Sequence, residues 1–431
     1  MISDSEEREN AVMPSSDDTA PNETVPYKNL PSPEKKQRLT ELATVFFRLG
    51  TVAFGGPAAH IAMMDDEVVK RRRWMSRENL LDLMGVTNLL PGPNSTELAI
   101  HIGYERAGWA GLFVAGSCFI FPALVLVWLL AAVYVRYQTV PEVGWLLYGI
   151  KPVIIAVVLK ALWKLGKKAA KDTVTTVFGI GAIAAYFAGM NEILMLLLAG
   201  LFVMLIKNWF NRGRTVGGFL LPLSGSFVGS LFSRFSATGT LVQAGGVTGS
   251  AAATTASVGW VSVFLFFLKI GAVLYGSGYV LLAFLQRDLV EQHQWLTSQE
   301  LLDAVAIGQI TPGPVLTTAT FVGYVVAGHS GAIAGTVGIF LPAFLLVGLV
   351  NPWVPKLRQS PWAGAFLDGV NAASLGLMAG VTYVLARAAV VDWPTLVLAG
   401  VSAIAVFRFK VNPAWLVLAG GALGFVFQSV F

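Results

Sequence analysis

Leu90-Pro91-Gly92-Pro93-Asn94-Ser95-Thr96-Glu97 sets two prolines on either side of a glycine in the middle of an apolar segment. Proline lacks an N–H and its ring clashes with the preceding turn, so no helix runs through this stretch. Asn94, Ser95 and Thr96 are good helix N-caps. The stretch therefore reads as helix, break and new helix. The same device returns as Ile310-Thr311-Pro312-Gly313-Pro314. Its surroundings are those of a bilayer protein. The 431 residues are 55% hydrophobic and 13% charged, where a soluble chain carries roughly 25% charged residues. The run Val114 to Val135 has no charged residue and exceeds the roughly 20 residues that span hydrocarbon. Broken backbone at membrane depth is tolerated only where it is buried in protein or lines a cavity. A helix N-terminus placed there is a ready anion site. Cys118 is the lone cysteine, which excludes a disulfide framework. The formal charge of +5 comes with basic residues in loops beside apolar segments, a membrane-orientation pattern and not a nucleic-acid surface.

The chain repeats itself. Phe46-Phe47-Arg48-Leu49-Gly50 is answered by Phe267-Leu268-Lys269-Ile270-Gly271. Trp74 pairs with Trp295, Leu80-Leu81-Asp82 with Leu301-Leu302-Asp303, and Pro91-Gly92-Pro93 with Pro312-Gly313-Pro314, all 221 positions apart. One residue is then lost, and Gly103 meets Gly323, Pro122 meets Pro342 and Asp172 meets Asp392, 220 apart. Two homologous repeats follow, 42–207 and 263–431. A polar segment, 1–41, precedes them and reads as a disordered cytoplasmic tail without a signal peptide. A connector rich in Gly, Ser, Thr and Ala, 208–262, separates them. In each repeat an apolar segment is broken at glycines (Gly55-Gly56-Pro57; Gly276-Ser277-Gly278). A polar loop and the Pro-Gly-Pro segment follow. Four unbroken apolar segments end the repeat, near 109–135, 143–164, 173–189 and 191–207 in the first.

Lys and Arg are retained on the cytoplasmic side. The clusters Lys70 to Arg77, Lys160 to Lys171 and Lys207 to Arg214 share a side if both broken segments of the first repeat are re-entrant hairpins, and Arg136 alone is misplaced. The matching loop of the second repeat, Gln286 to Glu300, has one basic residue, Arg287, and belongs outside. The expected fold is thus an all-α polytopic membrane protein of two homologous, inverted-topology repeats. Each has two broken or re-entrant helical segments plus four transmembrane helices. The connector then crosses an odd number of times, with Val216 to Phe232 as the crossing. Inverted repeats with broken helices meeting at the midplane are a transporter architecture.

Phe54-Gly55-Gly56-Pro57, a basic loop ending in Arg73-Trp74, and Leu90-Pro91-Gly92-Pro93-Asn94-Ser95-Thr96-Glu97 together resemble the chromate ion transporter family in its long, two-domain form. The resemblance runs from about residue 42 to the C-terminus and excludes the tail and connector. It implies a multi-pass plasma-membrane transporter of chromate, an exporter conferring resistance, with sulfate as the related oxyanion. It implies no cofactor, and it leaves monomer and homodimer both open. The second repeat departs from the motif: Val315-Leu316 replaces Asn94-Ser95, and Gly276-Ser277-Gly278 replaces Gly55-Gly56-Pro57.

Chromate and sulfate are tetrahedral dianions that need N–H and O–H donors and positive potential. Helix N-termini supply roughly half a charge each. Gly55, Gly56, Pro91, Gly92, Gly276 and Gly313 shape the breaks, and glycine lets backbone approach a ligand closely. Asn94, Ser95, Thr96, Thr317 and Thr318 are candidate donors. Arg48 and Lys269, at equivalent positions, are candidate substrate cations, because an intramembrane charge is expensive; snorkelling is the competing reading. Lys151 is also mid-segment, but its counterpart Asn371 is neutral. Glu97 and His60 are candidate proton carriers, set against a dipole-complementing role for Glu97. His101 reads as structural, Asp82 and Asp303 as interfacial structural groups, and Trp74 and Trp295 as interface anchors.

These features converge on a secondary transporter that exports chromate, transports sulfate, or both, driven by membrane potential or a proton gradient. An anion channel and a sulfate uptake transporter are the alternatives. One Cys, four His and no haem or flavin pattern argue against a membrane enzyme.

Overall fold

The computed structural model describes residues 27–54, 56–138, 140–210, 258–275, 278–351, 360–409 and 411–430. Gly55, Gly276 and the expected crossing Val216 to Phe232 lie outside the described residues. The described chain is all helical, and six helices are long and apolar enough to cross a membrane.

The first repeat comprises α1 (Ser32–Val52), α2 (Pro57–Met64) with a π-helical continuation (Asp65–Arg71), α3 (Arg77–Thr87) and α4 (Asn94–Tyr137). α5 (Pro141–Ala169), α6 (Thr173–Phe187) and α7 (Glu192–Phe210) complete it. The second follows the same order with α8 (Trp260–Val273), α9 (Leu281–Phe284) and its π continuation (Leu285–Gln292), α10 (Ser298–Ile310) and α11 (Thr318–Val350). α12 (Pro361–Ala389), α13 (Trp393–Arg408) and α14 (Pro413–Val430) end the chain. Equivalent positions carry equivalent caps. Ser76 caps α3 and Thr297 caps α10, while Asp172 and Asp392 form capping boxes with Thr175 and Thr395.

α1 corrects the tail boundary. It begins at Ser32, so 32–41 is helix and not disordered tail. A proline in the first turn and a run of good helix formers, Glu34 to Arg38, account for the start. Glu41 then reaches Arg106 at 2.7 Å, which ties this polar turn to the repeat.

α1 and α2 fold into a hairpin. Arg48 bridges to Glu67 across it at 3.3 Å, and in the second repeat Lys269 bridges to Asp288 at 2.8 Å. At the mouth, the Arg106 guanidinium lies 4.2 Å from the centre of the Trp74 ring while it pairs with Glu41. Entry into α1, exit from the π turn and the end of the first limb of α4 therefore meet at one level.

α4 consists of two limbs, 94–106 and 109–137, that reverse at Ala107 and Gly108 (φ +57°). Gly103 and Gly111 face each other so closely that a Cβ on either would lie within 2.3 Å of the other's carbonyl oxygen. α11 reverses identically at Ala327 and Gly328, and Thr320 meets Thr336 across its limbs at 2.7 Å. The first limb of each thus returns from the Pro-Gly-Pro break to the mouth of its own hairpin. The long limbs of α4 and α11 pack antiparallel. Phe113 stacks on Phe344 at one end of the contact, and Trp128 donates to His329 at the other.

Candidate functional site

The Pro-Gly-Pro breaks of the two repeats end up beside the α1 and α8 breaks, each against the other repeat. Gly92 N–H donates to the Leu274 carbonyl (2.7 Å), and Gly313 N–H donates to the Ala53 carbonyl (3.0 Å). Ala53 ends α1, and Leu274 ends α8 at the equivalent position. The contact is therefore reciprocal, as a two-fold relation between the repeats requires. Each carbonyl is an orphan left by the helix end, and each is satisfied by the opposite repeat.

The first repeat supplies most of the polar groups at this junction. His60, one turn into α2, places Nε2 3.0 Å from the Ala53 carbonyl and Nδ1 3.2 Å from Ser95 Oγ. A carbonyl only accepts, so Nε2 carries the hydrogen, and on a neutral ring Nδ1 accepts from the Ser95 hydroxyl. Phe119 closes the site with its ring perpendicular to His60, centroids 5.5 Å apart. Thr96 and Glu97 in the first turn of α4 are fully buried. The Thr96 hydroxyl and both Glu97 carboxyl oxygens have no hydrogen-bond partner among the described residues. Buried groups of this kind call for a donor, a ligand or, for the carboxyl, a proton. Glu97 folds back beside Gly92, where a Cβ would come within 2.3 Å of Oε1. Pro93 accepts from the amides of Thr96 and Glu97, so Asn94 and Ser95 are left as first-turn amides with no acceptor within the helix. The Asn94 side chain donates to Asn88.

The second repeat is apolar at the matching places. Leu281 and Leu316 stand where the first has His60 and Ser95. Thr317 and Thr318 donate their hydroxyl hydrogens to Pro314 and Val315 carbonyls of their own turn. Arg48 and Lys269 sit along the hairpins, each with its charge matched by the acidic residue on the returning limb; the Arg48 side chain is 62% exposed. The sequence carries the sign of this pairing, since the acid lies 19 residues after the base in both repeats.

Beside Ala53, Gly56, Thr311, Gly313 and Asn412 lies a cavity of about 20 Å³, room for about one water. Three helical segments begin around it: α2 at Gly56, the turn into α11 at Val315 and α14 just after Asn412. In this conformation the tips are closed on one another.

Asp303 is the clearest departure from the interfacial role expected of it. It is 3% exposed, 3.2 Å from Lys151 of the other repeat, and accepts from the Tyr134 hydroxyl at 3.0 Å. Neither Tyr134 nor the pairing is legible in the sequence, because the counterpart of Lys151 is a neutral asparagine.

No solved structure matches the chain. Among curated proteins it is 31% identical to the chromate transport protein of Cupriavidus metallidurans, over 89% of this chain and 92% of that one. It is 28% identical to a probable chromate transport protein of Synechococcus elongatus, with 91% and 96% covered. A chromate transport protein of Pseudomonas aeruginosa is 29% identical, with 90% and 92% covered. The chromate transporter family model matches twice, over residues 40–204 and 261–425. These two matches fall on the two halves that share the broken-helix motifs, so the chain belongs to the chromate transporter family of membrane transport proteins and is not an enzyme.

Proposed function

We propose that this protein exports chromate across the plasma membrane, accepts sulfate at the same site, and works by alternating access of two inverted repeats. The observation that carries the reading is the reciprocal bonding of Gly92 to Leu274 and Gly313 to Ala53. A junction built from the broken ends of both repeats is the one place where a relative tilt of the repeats opens and closes the backbone around a guest. The antiparallel long limbs of α4 and α11 support inversion, as does the gathering of Lys and Arg in the 65–78 loop and at Lys164 to Lys171. The N-terminus is then cytoplasmic and the C-terminus outside.

The oxyanion sits between α2 and the first limb of α4, held by the helix starts at Gly56 and Pro91-Gly92-Pro93, the amides of Asn94 and Ser95, and the hydroxyls of Ser95 and Thr96. Gly313 and its neighbours form the opposing wall. Ser95 couples this cup to His60. While His60 is neutral, the Ser95 hydrogen points into the ring. When His60 takes a proton, Nδ1 becomes a donor and Ser95 is free to turn its hydrogen to the anion. Outward movement of a dianion across an inside-negative membrane gains about 4.6 kcal/mol per 100 mV, twice the value for one charge, so export needs no further energy source. The closed tips favour a carrier over an open pore.

Inside-out vesicles loaded with no anion and given labelled chromate test the reading, with potential and pH gradient imposed separately. Saturable, potential-driven uptake that sulfate competes with is expected. Uptake without saturation, or none above vesicles lacking the protein, overturns it.

A further inference from the structure

We propose that Lys151, Asp303 and Tyr134 form a proton-operated gate that seals the tip cavity from the face on which α10 begins. α10 enters at Ser298 and reaches the tip at Ile310, so Asp303 lies between the mouth and the cavity beside Thr311 and Gly313. Lys151 and Tyr134 belong to the first repeat and Asp303 to the second, so the cluster spans the seam along which the repeats separate. The side chains are 15% and 4% exposed for Lys151 and Asp303. The titratable groups facing Asp303 are Lys151 from α5, Tyr134 from α4 and Glu300 one turn back on its own helix. Glu300 is itself held in the α10 capping box.

An ion pair sealed in a low-dielectric seam is kept only while its partners touch. Parting the repeats strands both charges. The carboxyl takes a proton from the α10 face as the pair breaks, while it is still shielded from water, since a buried carboxylate without its partner is far more costly than its acid. The ammonium is left without a counter-ion at the moment an anion passes, and the anion replaces Asp303 as its partner. Opening, proton uptake and anion passage are thus linked at one place. The device is one-sided. The counterpart of Lys151 is Asn371, so the lysine of this cluster has no equivalent in the second repeat. This proposal rests on the alternating-access reading above, but its test needs no chromate.

The test uses the full chain with Cys118→Ala and a reporter cysteine, Val315→Cys, on the cavity wall, labelled by a membrane-impermeant maleimide applied to oriented vesicles from either side. All labelling rates are taken relative to an exposed thiol at the same pH, because a maleimide reacts with the thiolate; on that scale the parent is expected to be labelled slowly from the α10 face at neutral pH and faster as pH on that face falls. Asp303→Asn, a permanent mimic of the protonated acid, is expected to be labelled from that face about ten- to a hundredfold faster and with no pH dependence, the size set by losing the charge that pairs with Lys151 and accepts from Tyr134. Tyr134→Phe, which keeps the ion pair, lies between, and Asp303→Glu retains the pH dependence. If Asp303→Asn is labelled no faster than the parent, or if its labelling still follows pH, the gate is wrong. Should Asp303→Asn fail to fold, Tyr134→Phe decides between the same two outcomes: faster labelling than the parent supports the gate, and an unchanged rate overturns it. If the labelling pattern holds but chromate never protects Val315→Cys, the anion site fails and the gate stands.

Discussion

Gly313→Ala tests the tip-to-tip junction with a single methyl group. Gly313 has φ +93°, and a Cβ there would lie 2.7 Å from Ala123 Cβ and 3.3 Å from the Gly50 carbonyl oxygen. Two costs add. The left-handed backbone costs an L-residue about 1–2 kcal/mol, and forcing a methyl into a filled wall costs about 1–3 kcal/mol. The sum is about 2–5 kcal/mol. Gly189→Ala is the control, because Gly189 holds the left-handed position after α6 with φ +82° and nothing within 4 Å of its Cβ position, so only the backbone cost applies. The assay is thermal inactivation of the detergent-purified protein, read as the fraction still monodisperse after heating, with chromate efflux from cells in parallel. Gly313→Ala should fall well below Gly189→Ala in heat resistance and should lose efflux, since relieving the clash pulls the Gly313 amide from the Ala53 carbonyl. If the two variants match in stability and both transport normally, the tips do not meet as described and the reasoning fails.

Ser95→Ala should reduce chromate transport at least about tenfold, the loss of one anion-directed hydrogen bond, while the protein stays folded; His60→Gln, which keeps a donor for Ala53, should fold equally well and flatten the pH profile of transport. Arg287 pairs with Glu192 at 2.9 Å and donates to the Gly189 and Met190 carbonyls in the link from α6 to α7. Arg287→Gln should therefore cost about 3–5 kcal/mol by stranding the buried Glu192, and adding Glu192→Gln should recover part of it in a thermal shift. Asp172 sits outside the spanning helices, and the Lys207 ammonium together with the Thr175 amide holds its carboxyl down at about 2, from 3.8. A lowered value means the stabilisation is complete above pH 3.8 and is lost as pH falls toward 2. With 40% of the side chain exposed it is worth at most about 1 kcal/mol. Asp172→Asn should narrow the difference in melting between these two pH values.

Much of the fold was legible because its causes are local. Proline at 91, 93, 312 and 314 breaks any helix whatever surrounds it, apolar runs longer than a bilayer announce their own length, and a duplicated register is visible without a structure. The helix after the first break was legible only as a new segment from about 109. The reversal itself is set by Ala107 and Gly108, where two limbs close until Gly103 and Gly111 touch. The candidate site was legible as a motif and not as an arrangement. Arg48 and Lys269 read as substrate cations or snorkelling side chains, because the 19-residue spacing to Glu67 and Asp288 is visible in the chain but the turn that folds each carboxylate against its cation is not. Asp303 looked interfacial because nothing near it in the chain reveals Lys151, 152 residues away.

The sequence by itself determined that this chain is a duplicated, helical membrane protein with a helix break in the same place in each repeat, since backbone chemistry and hydrophobic length act within a few residues of their cause. Only the tertiary structure decided which orphan carbonyl each break would satisfy, that His60 would meet Ser95 beside it, and which buried charges would meet. The first and last of those outcomes depend on distances between segments far apart in the chain, from 152 residues for Lys151 and Asp303 to 260 for Ala53 and Gly313. In a low-dielectric interior such distances decide whether a polar group is a cost, a bond or a site.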